Sequence, residues 1–135
     1  IPVSQINNIK TGASRTDEDG NVIPSSRLTR PADPPRSYAY CSDTCYLPEL
    51  HKQLEGTTCI YHETTYATED AEKATKYCHS TAAQAAQVAR DAHAGRLLLG
   101  HYSSKYDNEQ VLLEEARAVF PASELTREGM VVELK

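Results

Sequence analysis

The sequence predicts an α/β fold built on a largely parallel sheet. From residue 37 onward, short β-branched, aromatic or aliphatic runs alternate with alanine-rich or charged runs, and glycine or proline residues separate them. The predicted order of elements is β-α-β-α-α-β-α-β. Strands that alternate with helices are joined by right-handed crossovers, which make neighbouring strands parallel.

The chain has 135 residues, which suits one domain of ordinary size. Residues 1–36 are rich in turn formers: Asp19-Gly20 predicts a hairpin or loop, and Pro34-Pro35 forces extended backbone. We therefore expect residues 1–36 to be an extended or hairpin connecting segment. Residues 37–135 are expected to hold the core.

Each predicted element has its own local signal. The strand-like runs are Tyr38–Cys41, Thr57–Tyr61, Arg96–Gly100 and Met130–Leu134. The helical runs are Pro48–Leu54, Glu69–Tyr77, Ala82–Ala92 and Asn108–Phe120. The third helix is the clearest, because alanine is the best helix former, Ser80 or Thr81 can cap its start, and Gly95 follows its end.

The composition by itself gives no signal for a nucleic-acid partner, which it does not exclude, or for a membrane span. A net charge of −5 gives no basic footprint for a nucleic acid, although a nuclease can hold phosphate through metal ions. The mean hydropathy is −0.57, and no apolar run approaches the roughly 18–20 residues of a membrane span. Ile1–Ser4 show no secretion signal, and the start at Ile1 leads us to expect a processed or excised piece.

The four cysteines favour a cytoplasmic protein. Cys41, Cys45, Cys59 and Cys78 are too sparse for a small disulfide scaffold, so we expect reduced and mostly buried thiols. A zinc site built on Cys41 and Cys45 is the alternative. That signal is weak, because no second Cys or His pair accompanies it.

Side chains suited to hydrolytic chemistry follow the predicted strands. Because ligands of open parallel sheets collect at the carboxyl ends of the strands, these side chains are expected at one edge. They are Asp43, His62, Glu63 and His101 at strand ends, with His79 just before the clearest helix.

Each of these side chains also has an ordinary structural interpretation. Asp43 could cap the following helix or bridge metal ions, and His101 could be a core-edge histidine or a zinc ligand. His79 could belong to a capping sequence or protonate a leaving group. Side chains alternate along a strand, so only one of His62 and Glu63 can face the site. Glu63 is favoured, because its charge could orient His79.

Four motifs in order give the sequence a family resemblance. They are Ser42-Asp43-Thr44, His62-Glu63-Thr64-Thr65, His79-Ser80-Thr81-Ala82 and Gly100-His101-Tyr102-Ser103-Ser104-Lys105-Tyr106. Together they resemble the C-terminal half of the ribonuclease Z family, the tRNA 3′-processing endonucleases of the metallo-β-lactamase superfamily. The resemblance implies half of an αββα sandwich, in which a mixed sheet carries helices on one face.

The resemblance also implies roles for individual residues. Asp43 and His101 would be zinc ligands, whereas His79 and Glu63 would be catalytic, His79 assisting the leaving group and Glu63 holding it. The substrate would be precursor tRNA, cleaved by metal-assisted phosphodiester hydrolysis. Contacts to the substrate phosphate are expected from Ser80, Thr81, Ser103 and Lys105.

The family's first half supplies a His-x-His-x-Asp-His cluster that this sequence does not contain. We therefore expect the chain alone to bind zinc weakly, to be inactive and to form a homodimer or larger homo-oligomer through its uncovered sheet face. Two alternatives remain open. They are another metallo-β-lactamase-like hydrolase or phosphodiesterase, and a non-catalytic half-fold assembly module.

Overall fold

The computed structural model describes residues 15–16, 21–23 and 33–135. The chain divides into two compact units, Ile1–Pro35 and Arg36–Lys135. In the first unit, strand β1 (Arg15–Thr16) pairs antiparallel with strand β2 (Val22–Ile23), as in a hairpin. The predicted turn at Asp19-Gly20 lies outside the described residues.

The second unit is a four-stranded sheet with helical connections, which confirms the α/β class. Its strands are β3 (Tyr38–Cys41), β4 (Cys59–Glu63), β5 (Arg96–Gly100) and β6 (Ser123–Leu125). They lie in the order β3-β4-β5-β6, and every neighbouring pair is parallel. The helices are α1 (Leu50–Gln53), α2 (Ala71–Tyr77), α3 (Ala82–Asp91) and α4 (Gln110–Val119), and a 3₁₀ turn (Thr68–Asp70) precedes α2.

One face of the sheet forms the core with α3 and α4. The strand register places Ala39, Ile60 and Leu97 in one row, and the buried alanines of α3 belong to the same cluster. Small side chains let a helix approach the sheet closely, which explains the alanine-rich sequence of α3. Of the two predicted caps, Ser80 and Thr81, it is Thr81 that begins this helix, and it forms a capping box with Gln84.

The opposite face of the sheet, which we call the open face, is aromatic. Tyr40 stacks on Tyr61 with ring centroids 4.8 Å apart, and Tyr38 is 50% exposed. A Cβ on Gly100 would lie 2.1 Å from the Tyr61 hydroxyl oxygen, so the absence of a side chain at Gly100 makes room for the ring. On this face Tyr38 and Tyr40 are largely exposed, whereas Leu98 in the middle of the sheet is only 4% exposed.

The predicted last strand, Met130–Leu134, is wrong. Helix α4 leads directly into β6, whose residues pair with Leu97–Leu99 and take the edge position next to β5. Residues 130–134 carry no strand assignment. Met130, Val132 and Leu134 instead border a groove on the open face, and the Glu133 carbonyl accepts a hydrogen bond from Arg96. The segment Met130–Leu134 thus has strong β propensity, but it lies against the face of the sheet and forms no ladder of strand hydrogen bonds.

Other predicted boundaries need smaller corrections. Strand β4 begins at Cys59 and runs through Glu63, two residues later than predicted. Helix α1 is only Leu50–Gln53, and its N-cap residue is Glu49, so Asp43 does not cap it. The four cysteines are free, as expected, but only Cys59 is buried and Cys78 is exposed. Among the described residues, none of the helices has both the length and the apolar character needed to cross a bilayer.

Candidate metal and catalytic site

Three potential metal ligands meet at the carboxyl edge of the sheet. Ligand atoms of Asp43, His79 and His101 all lie within 4.8 Å of one another. Asp43 follows β3, His101 follows β5, and His79 precedes α3. The parallel register brings these points together because all the strands end at the same edge.

His101 has an unusual backbone conformation. Its φ of 61° lies in the left-handed region, which a non-glycine residue seldom occupies and which costs energy. The turn is held by Ser103, whose amide donates to the Thr65 carbonyl oxygen at 3.0 Å. In this turn, Nε2 of the His101 ring lies 3.4 Å from Oδ1 of Asp43. Both side chains are substantially solvent-accessible, so a ligand could reach them.

Glu63 is a fully buried carboxylate that accepts four hydrogen bonds. Oε1 accepts from the Thr44 amide at 3.1 Å and from His79 Nδ1 at 2.7 Å. Oε2 accepts from the Thr65 amide at 3.1 Å and from the Thr65 hydroxyl at 2.7 Å. A buried charge is tolerated only when it is satisfied in this way, and the four donors compensate for its removal from water.

His79 is fixed by Glu63 and by its neighbouring rings. Because Nδ1 donates to Glu63, Nε2 is the ring nitrogen that remains available to a ligand. The His79 ring stacks on His101 with centroids 5.3 Å apart, and Tyr66 meets it edge-on at 6.2 Å. The side chain is 20% exposed, so a substrate can reach it.

The donor set fits a zinc ion. One carboxylate and imidazole nitrogens are the ligands that zinc takes at hydrolytic centres. Among the described residues, no backbone group hydrogen-bonds the carboxylate of Asp43 or the ring of His101. By contrast, Nδ1 of His79 is hydrogen-bonded to Glu63. The cluster therefore supplies two free ligands, Asp43 and His101, and a second imidazole, that of His79, whose Nδ1 is bound to a carboxylate.

The hydroxyls expected to bind phosphate are partly committed elsewhere. Ser80 is buried and donates to the Thr44 carbonyl oxygen at 2.6 Å, which fixes the segment that carries Asp43. Thr81 is buried, and its hydroxyl accepts the Gln84 amide of the capping box. Within the part of the chain that the structure describes, the Ser103 hydroxyl accepts the Lys105 amide and donates to no group, so its proton is available to a ligand.

Lys105 lies in an ion pair with a residue that sequence reasoning missed. Its ammonium contacts both oxygens of Asp70, at 2.8 and 2.7 Å, and the Tyr106 hydroxyl donates to the same carboxylate at 2.6 Å. These donors hold the pKa of Asp70 below its usual value. Burial, followed by the hydrogen bond to Asp70, raises the pKa of Tyr106 to about 12. The cluster fastens the His101 loop onto the segment 67–70, because Tyr106 also accepts the Ala67 amide.

His62 lies on the side of β4 opposite Glu63, as strand geometry requires. It is fully buried, and its Nδ1 donates to the Glu63 carbonyl oxygen at 2.8 Å. Nε2 has no hydrogen-bond partner among the described residues. Burial lowers the pKa of His62, so the neutral ring is favoured in the folded protein.

The arrangement defines a class of protein. The fold matches a metallo-β-lactamase fold protein from Bacillus subtilis, with a TM-score of 0.65, 25% identity, and coverage of 70% of this chain and 38% of that one. The short form of human tRNase Z matches with a TM-score of 0.53, 24% identity, and coverage of 68% and 31%. The chain therefore has the α/β architecture of metallo-β-lactamase fold proteins, with candidate metal ligands at the sheet edge.

The sequence itself is similar to curated proteins named ribonuclease Z, which confirms the resemblance. It is 46% identical to that of Bacteroides fragilis over 134 residues, 99% of this chain and 44% of the relative. It is 48% identical to that of Bacteroides thetaiotaomicron over 132 residues, 98% of this chain and 42% of the relative. The chain thus spans less than half the length of these relatives. No protein-family model matches it.

Proposed function

We propose that this chain is part of a zinc-dependent endoribonuclease that removes the 3′ trailer of precursor tRNA. The observation that carries the proposal is the convergence of Asp43, His79 and His101, with the buried Glu63 carboxylate behind His79. The ribonuclease Z names of relatives matched across nearly the whole chain support this choice over other hydrolytic chemistries.

Asp43 and His101 would hold zinc in a centre that ligands outside this chain complete. A bound zinc ion supplies Lewis-acid stabilisation of the charge that develops on phosphoryl oxygens. The open placement of the two side chains leaves room for these additional ligands and for a substrate. Two ligands alone form a weak site, so we expect the chain by itself to bind zinc weakly and to leave RNA uncut.

His79 would donate the proton that the leaving oxygen needs. Glu63 holds Nδ1–H at 2.7 Å, which leaves Nε2 to carry and release a proton towards the substrate. The negative charge of Glu63 is buried, so solvent screens little of its attraction for a protonated imidazole. This pair performs the acid step that the resemblance assigns to it.

Contacts to the substrate phosphate would fall mainly to Ser103. Among the described residues its hydroxyl accepts the Lys105 amide and donates to no partner, and the residue follows His101 by two positions, which supports this role. Ser80 and Thr81 act by holding the Asp43 segment and the start of α3. Lys105 adds positive potential, reduced by its ion pair with Asp70.

Without further polypeptide over its open face, the chain would self-associate. Tyr38 and Tyr40 are 50% and 65% exposed on that face, and isolated soluble domains rarely leave contiguous apolar surface uncovered. Analytical ultracentrifugation of the isolated chain is expected to give a homodimer or larger homo-oligomer. A clean monomer that binds no apolar dye would contradict this expectation.

The function is tested on the complete gene product that contains this chain. Zinc-dependent release of the 3′ trailer from a precursor tRNA is expected, and it should be lost in Asp43→Asn but kept in the control Asp107→Asn, which alters an exposed aspartate. Hydrolysis of other phosphodiesters without tRNA cleavage would indicate a related phosphodiesterase. An inert protein with full zinc occupancy would indicate a non-catalytic assembly module.

A further inference from the structure

The Thr65 hydroxyl lies at the centre of the site. Its Oγ1 is 2.7 Å from Glu63 Oε2, 2.9 Å from His101 Nδ1 and 3.2 Å from His79 Nδ1. Thr65 is 6% exposed, so these contacts are made away from solvent. Among the described residues it is the side chain that hydrogen-bonds the carboxylate and both imidazoles.

The chemistry of the hydroxyl determines which way each bond runs. A threonine hydroxyl has one proton to donate and two lone pairs to accept with. The proton goes to Glu63, because that bond is the shortest of the three and is charge-assisted, hence roughly twice as strong as a neutral one. The 2.9 Å contact must therefore be accepted by Oγ1, so His101 must donate from Nδ1–H. The single proton on Nδ1 of His79 is already given to Glu63, so the 3.2 Å contact between His79 and Thr65 is only a weak, shared one.

In the neutral ring, this assignment leaves Nε2 of His101 without a proton. Nε2 and Oδ1 of Asp43 are then two acceptors facing each other at 3.4 Å, an arrangement that a cation between them would stabilise. The opposite tautomer would make Nδ1 an acceptor. Thr65 would then have to donate its proton to His101, and the buried Glu63 carboxylate would lose the hydrogen bond that it accepts from Thr65.

We propose that Thr65 is a positioning residue that holds His101 in the Nδ1-protonated tautomer required of a metal ligand and couples this ligand to the Glu63–His79 pair. This proposal rests on the proposed function only in taking His101 to be a zinc ligand. The tautomer itself is a property of the metal-free protein. Loosening of Thr65 would therefore disturb metal binding and the acid step together.

The test measures the His101 ring directly. Long-range ¹H–¹⁵N spectra of the metal-free complete gene product, recorded at about pH 8, above the reference histidine pKa of about 6.5, should show Nδ1 of His101 protonated and Nε2 bare. Thr65→Val removes the hydroxyl while nearly keeping the shape, and a population of the Nε2-protonated ring should appear. Thr65→Ser keeps the hydroxyl and should retain the wild-type tautomer, as should the control Thr75→Val on the exposed face of α2.

Zinc affinity, measured by competition with a chelator, gives a second readout that does not need catalysis. Thr65→Val is expected to weaken zinc binding by about 10–100-fold, and Thr65→Ser by much less. A wild-type protein with Nε2 of His101 protonated overturns the proposal without any variant, as does a Thr65→Val protein with wild-type tautomer and affinity. A protein that cuts no tRNA but shows the expected tautomers supports the role of Thr65 and contradicts the proposed substrate alone.

Discussion

Oε1 of Glu63 and Nδ1 of His79 lie 2.7 Å apart although sixteen positions separate them in the chain. The contact is made because β4 ends at Glu63 and the chain returns to the same sheet edge just before α3. One partner is fully buried and the other is partly exposed. A carboxylate is thus hidden from water while the imidazole that it orients remains accessible.

Replacement of Glu63 by glutamine should lower turnover while leaving metal content unchanged. In either orientation the glutamine NH₂ would face a donor, because the Thr44 amide and His79 now donate to Oε1 and the Thr65 amide donates to Oε2. We expect cleavage of precursor tRNA to fall by about 10²–10⁴-fold, the usual contribution of a positioned acid. The measurements are the turnover number of the Glu63→Gln enzyme and its zinc content by metal analysis. Glu72→Gln, an exposed change on α2, is the control, and an active Glu63→Gln enzyme would contradict the assignment.

His79 and Asp43 should separate into different roles, although both belong to the cluster within 4.8 Å. His79→Ala should lose activity by about 10²–10⁴-fold and keep its zinc, because Nδ1 of His79 is held by Glu63. Asp43→Ala should lose zinc together with activity. Metal analysis of the two variants under identical purification decides the matter. Loss of zinc from His79→Ala would make His79 a ligand instead.

Gly100→Ala should destabilise the protein by steric conflict. The new Cβ would lie 2.1 Å from the hydroxyl and 2.5 Å from two ring carbons of Tyr61. Overpacking of this kind costs about 1–3 kcal/mol of unfolding free energy. Urea denaturation should show that cost in the wild-type background and much less of it in Tyr61→Leu. An equal cost in both backgrounds would mean that the ring is not the obstacle.

Tyr106→Phe should loosen the loop that carries His101. The hydroxyl donates to Asp70 at 2.6 Å and accepts the Ala67 amide at 2.7 Å. Each lost hydrogen bond costs about 0.5–1.5 kcal/mol, so the unfolding free energy should fall by about 1–3 kcal/mol. Tyr77→Phe, at a 56% exposed tyrosine, should change nothing in the same denaturation series. Faster amide exchange confined to residues 101–106 would locate the effect.

Mild acid should destabilise the fold through His62. Burial lowers the pKa of His62 from the ordinary value of 6.5, so below about pH 6.5 the unfolded chain binds a proton that the folded chain excludes. Stability is therefore present above this pH and is lost as the pH falls, by up to about 1.4 kcal/mol per pH unit. His62→Gln should lack this component of the slope. His51→Gln, at a histidine on α1, should keep it, and parallel wild-type and His62→Gln slopes would contradict the prediction.

Much of the fold follows from local signals. The strands Tyr38–Cys41 and Arg96–Gly100 match the sequence prediction, and α3 differs by one residue at its end. Alanine content, a capping threonine and aliphatic runs act between residues close in the chain, so they can be interpreted without a structure. The placement of Asp43 and His101 at strand ends follows from the same signals.

The remaining features depend on distances that only the packed chain sets. Met130–Leu134 has the more strand-like composition, yet Ser123–Leu125 forms the edge strand. The reason is that the chain leaving the end of α4 runs directly alongside β5. Likewise, the engagement of Lys105 by Asp70 and the placement of the Thr65 hydroxyl among three partners carry no local sequence pattern. Local propensity thus determined most of the helices and strands, whereas tertiary packing decided which segment became the edge strand and which side chains lie close enough to exchange a proton.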